Sequence, residues 1–224
     1  MRLLEQFFGV IAPNTCIFCD QEGSLLCKWC IDDALPYQTS RCYLCNALTK
    51  YYKSCPSCRH KTQVKHVYVR SEYTSFAKEL VHRMKFKYSI EAVKIIAFEL
   101  VKMLPITDRE LVITNVPTVT SHQRSRGIDH TKKIAQEMSR LSGKQYVETL
   151  VRTDQARQVG SSRKDRLTQL NGVFRIKNTD IFKGVDIILV DDIMTTGATI
   201  ESATSTLKFA GAESVSAIVF SRVK

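Results

Sequence analysis

A chain of 224 residues has room for one α/β domain and a small appendage. With 44% apolar and 25% charged residues its composition is that of a soluble globular protein, and no apolar run approaches the ~20 residues that span a bilayer. The net charge of +11 is uneven: residues 1–60 hold six Lys/Arg against five Asp/Glu, residues 61–110 ten against six, residues 111–180 thirteen against six, and residues 181–224 are slightly acidic. A basic middle suits a polyanionic ligand, either the phosphates of a small molecule or a nucleic-acid backbone; the alternative is a solvated basic surface without a partner.

In chain order, the first predicted element is a short amphipathic helix with Leu3, Leu4, Phe7 and Phe8 on one face. Glu5 interrupts its apolar stretch and no small-residue cleavage site follows, so it does not read as a secretory signal, and a cytoplasmic location is expected. All eight cysteines follow in four C-x-x-C pairs: Cys16/Cys19, Cys27/Cys30, Cys42/Cys45 and Cys55/Cys58. A two-residue spacer lets one tight turn aim both thiolates at one tetrahedral ion, and the connecting stretches of 7, 11 and 9 residues suit short β-hairpins. Two structural Zn2+ sites of four thiolates each are therefore expected, with no open position for catalysis. A reducing compartment argues against disulfides, and four pairs argue against a single redox motif. An iron–sulfur cluster is the remaining alternative. Sequential pairing gives a double zinc ribbon and interleaved pairing a cross-brace; sequential is preferred, though spacing alone leaves both open. Such a stretch has too little apolar surface for its own core, so metal supplies much of its folding free energy.

From about residue 64 the pattern changes, which divides the chain into residues 1–62, the helix and ribbons, and residues 63–224. Val67 to Val69 reads as a strand, Phe76 to Met84 and Ile90 to Leu104 as helices, Leu111 to Pro117 as a buried strand ending in a loop, and Ile128 to Leu141 as a helix. Tyr146 to Val151 reads as one strand, Val185 to Val190 as the most apolar strand, Ile200 to Ala210 as a helix, and Val215 to Phe220 as the closing strand. Alternating strands and helices predict an α/β fold with a parallel sheet flanked by helices, and in such sheets ligands bind beyond the carboxyl ends of strands.

The sharpest local signal lies at one such end. After Ile187, Ile188, Leu189 and Val190 come two adjacent acids, Asp191 and Asp192, and then the small-residue turn Thr195, Thr196, Gly197, Ala198 and Thr199 ahead of a helix. Successive N–H groups, a helix N-terminus and threonine hydroxyls make a phosphate cradle, and a carboxylate can accept from ribose hydroxyls. The plainer reading is an Asp-capped helix with a Thr-rich first turn. Arg124, Arg126 and Lys85 offer donors suited to a pyrophosphate, although for Lys85 a solvated helix end is an equal reading. The polar, basic stretch from Arg152 to Arg166 reads either as a lid over a charged ligand or as a plain loop.

The segment from Val190 to Thr199 resembles the PRPP-binding motif of type I phosphoribosyltransferases (PRPP is 5-phosphoribosyl-1-pyrophosphate). The resemblance implies that Asp191 and Asp192 contact the ribose hydroxyls and that Thr195, Thr196, Gly197, Ala198 and Thr199 hold the 5-phosphate, with Mg2+ accompanying PRPP. The whole chain is similar to the ComF family (ComFC-like), whose members begin with a double zinc ribbon. Three stretches carry this: Met84 to Lys87, like the family's early Lys-ended helix; Val116 and Pro117 followed by Arg124, Arg126 and Gly127, like its pyrophosphate-side loop; and Gln158, Ser161, Arg166, Asn171 and Phe174, like its flexible loop. Ile128, Asp129 and His130 depart from the family's usual Phe-Asn-Gln, so no role is carried onto Asp129 or His130, and His130 reads as a surface or helix-start residue. The loop after Pro117 also departs from the family's Pro-rich stretch.

The resemblance implies a PRPP-binding factor of natural transformation that handles single-stranded DNA, with a helicase-type translocase at the membrane as a partner. Tyr51 and Tyr52 are candidates for stacking on bases, or packing residues of the zinc module. The alternatives are an active phosphoribosyltransferase that moves ribose-5-phosphate onto a nucleobase, and a PRPP-sensing regulator. With four residues after Phe220, no C-terminal hood for a base is expected, which favours binding over transfer.

Overall fold

The alternating apolar segments form a five-stranded, all-parallel sheet in the computed structural model, which describes residues 15–118, 128–153, 173–177 and 184–223. The strands are β1 (Val67–Glu72), β2 (Leu111–Asn115), β3 (Gln145–Tyr146), β6 (Asp186–Met194) and β7 (Ser214–Arg222), in the order β1-β7-β6-β2-β3. A second, antiparallel pair joins β4 (Leu150–Arg152) to β5 (Phe174–Ile176). The helices are α1 (Ile31–Ala34), α2 (Ser75–Phe86), α3 (Ile90–Val101), α4 (His130–Ser142) and α5 (Ala198–Phe209). The expected helix-flanked parallel sheet is what forms. None of the described helices is long and apolar enough to cross a membrane.

Each central strand is buried on both faces, so its apolar residues sort by the period-2 alternation of side chains. Leu111, Ile113, Ile188, Val190, Ile218 and Phe220 face the layer of α2, α3 and α4. Ile187, Leu189, Val215, Ala217 and Val219 face α5 and the small β4–β5 pair. Local chemistry sets the helix limits. Ser89 caps α3 by accepting from the Ala92 N–H at 3.2 Å, and Asp129 caps α4 by accepting from the Lys132 N–H at 3.1 Å. Gly143 ends α4 in the left-handed conformation, φ 69°.

Three expectations are corrected. The strand predicted from Tyr146 to Val151 is two strands in different sheets. After β3 the chain turns out of the large sheet, with the Thr149 hydroxyl buried against that of Thr114 at 2.8 Å, and β4 then pairs with β5, which the sequence did not suggest. The apolar strand expected to stop at Val190 runs on to Met194, because β7 continues to pair with it as far as Arg222. Finally, His130 does start a helix, but it is buried rather than on the surface.

The cysteine-rich region does not stand apart from the sheet. Cys16, Leu25, Leu26, Cys30, Ala34 and Leu35 are buried in the same cluster as α2 and α3, whereas Tyr43 packs with α5 on the opposite face. The two halves of this region thus straddle the edge strand β1. On one side Arg70 of β1, fully buried, makes an ion pair with Glu99 of α3 at 2.7 Å, donates to the Leu35 carbonyl and lies 3.8 Å from the Tyr37 ring centre. The Leu25 N–H also donates to Glu91 of α3 at 2.8 Å.

Candidate functional site

The eight cysteines gather into two groups, Cys16, Cys19, Cys27 and Cys30, then Cys42, Cys45, Cys55 and Cys58, each with its four sulfurs within 4.8 Å of one another. Metal–sulfur bonds of ~2.3 Å in a tetrahedron put sulfurs about 3.8 Å apart. The Cys19–Cys27 and Cys45–Cys55 pairs stand at 3.9 and 3.5 Å, far beyond bonding distance for a disulfide, and all eight thiols are free. The pairing is sequential, as preferred from the sequence. The two groups repeat one design: isolated antiparallel bridges, Thr15 to Glu22 and Arg41 to Leu48, close the first turn of each. Burial works against ionising Cys16, yet the N–H groups of Cys27, Phe18 and Cys19 outweigh it and bring the thiol down to about 6. Cys42, its counterpart, is likewise brought down to about 6 by the N–H groups of Cys55, Cys45 and Leu44 against the effect of burial. A set of four thiolates of this size, with N–H groups aimed at the sulfurs, fits a closed structural zinc site in each case.

The second constellation sits where β2 and β6 run side by side. From β2 the chain continues toward β3 on one side, and from β6 toward β7 on the other, so their carboxyl ends border the point where the strand order reverses. A cavity of about 200 Å³ opens there, bordered by Val116, Pro117 and Thr118 after β2 and by Asp191, Asp192 and Thr199 at and after the end of β6. Because β6 runs on to Met194, the two acids are held by strand pairing rather than by a loop. Lys85, from the last turn of α2, reaches across to Asp192 with its Nζ 2.7 Å from Oδ2. Burial, and then the neighbouring charge of Asp192, raise the Asp191 carboxyl to about 8; the Asp192 N–H, Lys85 and Arg152 pull the other way.

Behind the acids the turn predicted to cradle a phosphate is open on one side only. Thr195, Thr196 and Ala198 are exposed and Thr199 lines the cavity, while Gly197 is buried with φ 83°, in the left-handed region that favours glycine. A methyl group on Gly197 would stand 3.0 and 3.2 Å from carbons of the Tyr43 ring. α5 starts at this turn, so the positive end of its dipole lies there; the Ala198 N–H donates to the Thr196 hydroxyl at 3.3 Å.

The structure therefore brings Lys85, Asp191, Asp192 and the 195–199 turn together. Arg124, Arg126, Gln158, Ser161 and Arg166, like the predicted N-terminal helix, lie outside the described residues. Tyr51 and Tyr52 part company: Tyr51 is exposed, whereas Tyr52 packs on Tyr68 at 5.2 Å and donates to the Gln38 carbonyl. Three contributors were missed. Arg152, placed by sequence only at the start of a lid, lines the cavity from the end of β4, with its guanidinium 5.5 Å from the Phe174 ring centre. Asp129, left without a role, holds the loop after β2 by accepting from the Thr118 N–H at 3.4 Å and the Thr118 hydroxyl at 3.2 Å. The capping pattern of an Asp ahead of a helix was the available signal. Tyr43 carries no sequence signal toward the turn at all.

Comparison with known proteins accords with this arrangement. Residues 116–223 match the family described as the phosphoribosyl transferase domain. The curated "Competence protein ComFC" of Bacillus subtilis (strain 168) is 26% identical over 96% of this chain and 97% of its own length. Among solved structures, a glutamine phosphoribosylpyrophosphate amidotransferase from B. subtilis is 15% identical, with a TM-score of 0.41, over 58% of this chain and 27% of its own. A hypoxanthine phosphoribosyltransferase from Staphylococcus aureus is 13% identical, with a TM-score of 0.35, over 58% of this chain and 63% of its own. The chain thus spans about a quarter of the first of these structures and under two thirds of the second. The parallel sheet flanked by helices has the fold of the phosphoribosyltransferase class, and residues 116–223 match that domain. With two four-cysteine clusters ahead of that domain, the chain is similar over nearly its whole length to the B. subtilis competence protein.

Proposed function

We propose that the chain binds PRPP, or a closely similar ribose phosphate, and serves the handling of single-stranded DNA in natural transformation. One observation carries the first half: two strand-held carboxylates share a cavity with Lys85 and Arg152 beside an exposed threonine turn at a helix N-terminus. In this reading Asp191 and Asp192 accept from the ribose 2′- and 3′-hydroxyls. Thr195, Thr196, Ala198 and Thr199 donate to the 5-phosphate through N–H and hydroxyl groups, and Lys85 and Arg152 face the pyrophosphate. Lys85 already balances Asp192, and Asp191 holds its proton near neutrality, so the acid pair suits ribose hydroxyls better than a bound cation. Mg2+, arriving with the pyrophosphate, would neutralise its charge.

The second half is supported by the name of the B. subtilis relative, by the net charge of +11, and by the aromatics Trp29 and Tyr51 on the cysteine-rich region, which are 73% and 74% exposed. In the same proposal residues 1–62 hold two structural zinc ions and offer stacking surfaces, and residues 63–224 hold the ribose phosphate. Titration calorimetry with PRPP and Mg2+ tests the site: an Asp191→Ala/Asp192→Ala variant binds about 100-fold more weakly, as loss of hydrogen bonds to one charged and one protonated carboxyl requires. Equal affinity of the variant and the parent removes the reading. Release of pyrophosphate with any of a panel of nucleobases would move the chain from binding protein to active transferase.

A further inference from the structure

The second cysteine cluster touches the phosphate turn directly. Tyr43 lies between the ligands Cys42 and Cys45, is 3% exposed, and packs its ring edge against Gly197, where a methyl group would stand only 3.0 Å from it. Its hydroxyl donates to the carboxylate of Glu201, in the first turn of α5, and meets the Thr62 hydroxyl just after the last cysteine pair. Its carbonyl accepts from Arg222 Nη2 at 3.0 Å, and Arg222 Nη1 also donates to the Asn46 side chain at 3.3 Å, one residue past Cys45. Arg222 in turn is the β7 partner of Met194, whose sulfur flanks Gly197. The loop that folds around one metal therefore presses on the hidden side of the turn whose open side faces the ligand.

We propose that Tyr43 is a positioning residue, through which metal occupancy of the Cys42/Cys45/Cys55/Cys58 site and ribose-phosphate binding at residues 195–199 are coupled. The proposal rests on the ribose-phosphate reading above and adds a role for the second cluster that a passive staple lacks. The physical reason is pre-organisation. A small-residue turn has many conformations available, and its N–H groups converge on an anion in few of them. A rigid ring wedged behind Gly197, fixed by a metal knuckle at one end and by Glu201 at the other, removes the others. Coupling of this kind is reciprocal, so the ligand must hold the metal as firmly as the metal holds the turn.

The test uses the full chain with its zinc content measured throughout. Tyr43→Ala is expected to keep two zinc ions and to bind PRPP with Mg2+ about tenfold more weakly. Tyr43→Phe, which keeps the ring against Gly197, recovers most of the loss. In the parent chain, PRPP slows extraction of one of the two zinc ions by a chelating dye and leaves the other unchanged; in Tyr43→Ala that protection disappears. Unaltered PRPP affinity in Tyr43→Ala, or equal protection of both ions, overturns the coupling while leaving the ribose-phosphate site intact. If the parent fails to bind PRPP, the functional reading falls, and amide exchange decides the coupling. Faster exchange confined to residues 195–199 in Tyr43→Ala supports it, and unchanged exchange there overturns it.

Discussion

Two acids side by side in a parallel strand are held at a disadvantage, and Asp191 is where it is felt. Burial and the charge of Asp192 lift its carboxyl to about 8, against an ordinary value of 3.8. The folded chain therefore keeps a proton that the unfolded chain gives up above about pH 4. Between these limits the native state binds more protons, and stability falls as pH rises toward 8. Glu201 works in the same direction, its carboxyl raised to about 7 by burial. Asp191→Asn is accordingly expected to be more stable than the parent at pH 8, with a higher Tm by about 2–4 °C per kcal/mol. The difference shrinks toward pH 4, and the variant loses PRPP affinity. A thermal melt series from pH 5 to pH 8 checks this, and a parent whose Tm rises across that range contradicts it. Gly197→Ala, at a positive φ and against the Tyr43 ring, combines backbone strain with a steric clash, and should weaken PRPP binding more than Ala198→Gly does.

At the scale of elements, the most telling assembly is β1, α3 and the first cysteine knuckle, joined by Arg70. Its guanidinium and Glu99 are both inaccessible to solvent, so removing Arg70 leaves a buried carboxylate held by Lys102 alone, whose Nζ lies 2.5 Å from Oε1. Arg70→Ala should lower stability by about 3–5 kcal/mol, whereas the paired change Arg70→Met/Glu99→Leu should recover most of it. Denaturant titrations of the three chains distinguish these outcomes. Much of this level was legible in the sequence wherever the cause was local. Four C-x-x-C pairs, the acids after an apolar run and the helical spacing from Ile90 each announce themselves locally, although that helix stops at Val101 rather than at the expected Leu104. The break between β3 and β4 was not legible, because it depends on Thr149 meeting Thr114 from a strand 35 residues earlier. Nor was β5, a three-residue strand that exists only through its pairing with β4. Lys85 could be named from resemblance, but its meeting with Asp192 is fixed by the packing of α2 on the sheet. Arg152 and Tyr43 reach the site through space alone, and no spacing rule points to them.

For the whole molecule, a basic chain with exposed aromatics on its metal knuckles is expected to hold single-stranded DNA in a salt-dependent manner. Affinity should fall steeply between 50 and 200 mM salt, and Trp29→Ala should weaken binding by about 1–3 kcal/mol without changing the salt slope. A gel-shift series with no salt dependence removes the nucleic-acid half of the proposal. The layout of the sheet has a further consequence, for the order in which the chain can come together. The edge strand β1 finds its sheet neighbour in β7, with Val67 beside Ala217 some 150 residues later, and both knuckles grip the region around β1 from opposite faces. During synthesis the thiols emerge well before β7 and can be filled with metal while that strand has yet to be made. Until the final strand arrives, β1 has a preassembled clasp on either side and an open slot beside it. Metal supply thus acts at the beginning of folding and strand insertion at its end, and a ribosome-stalled chain ending before residue 214 should be metal-loaded yet lack a closed sheet.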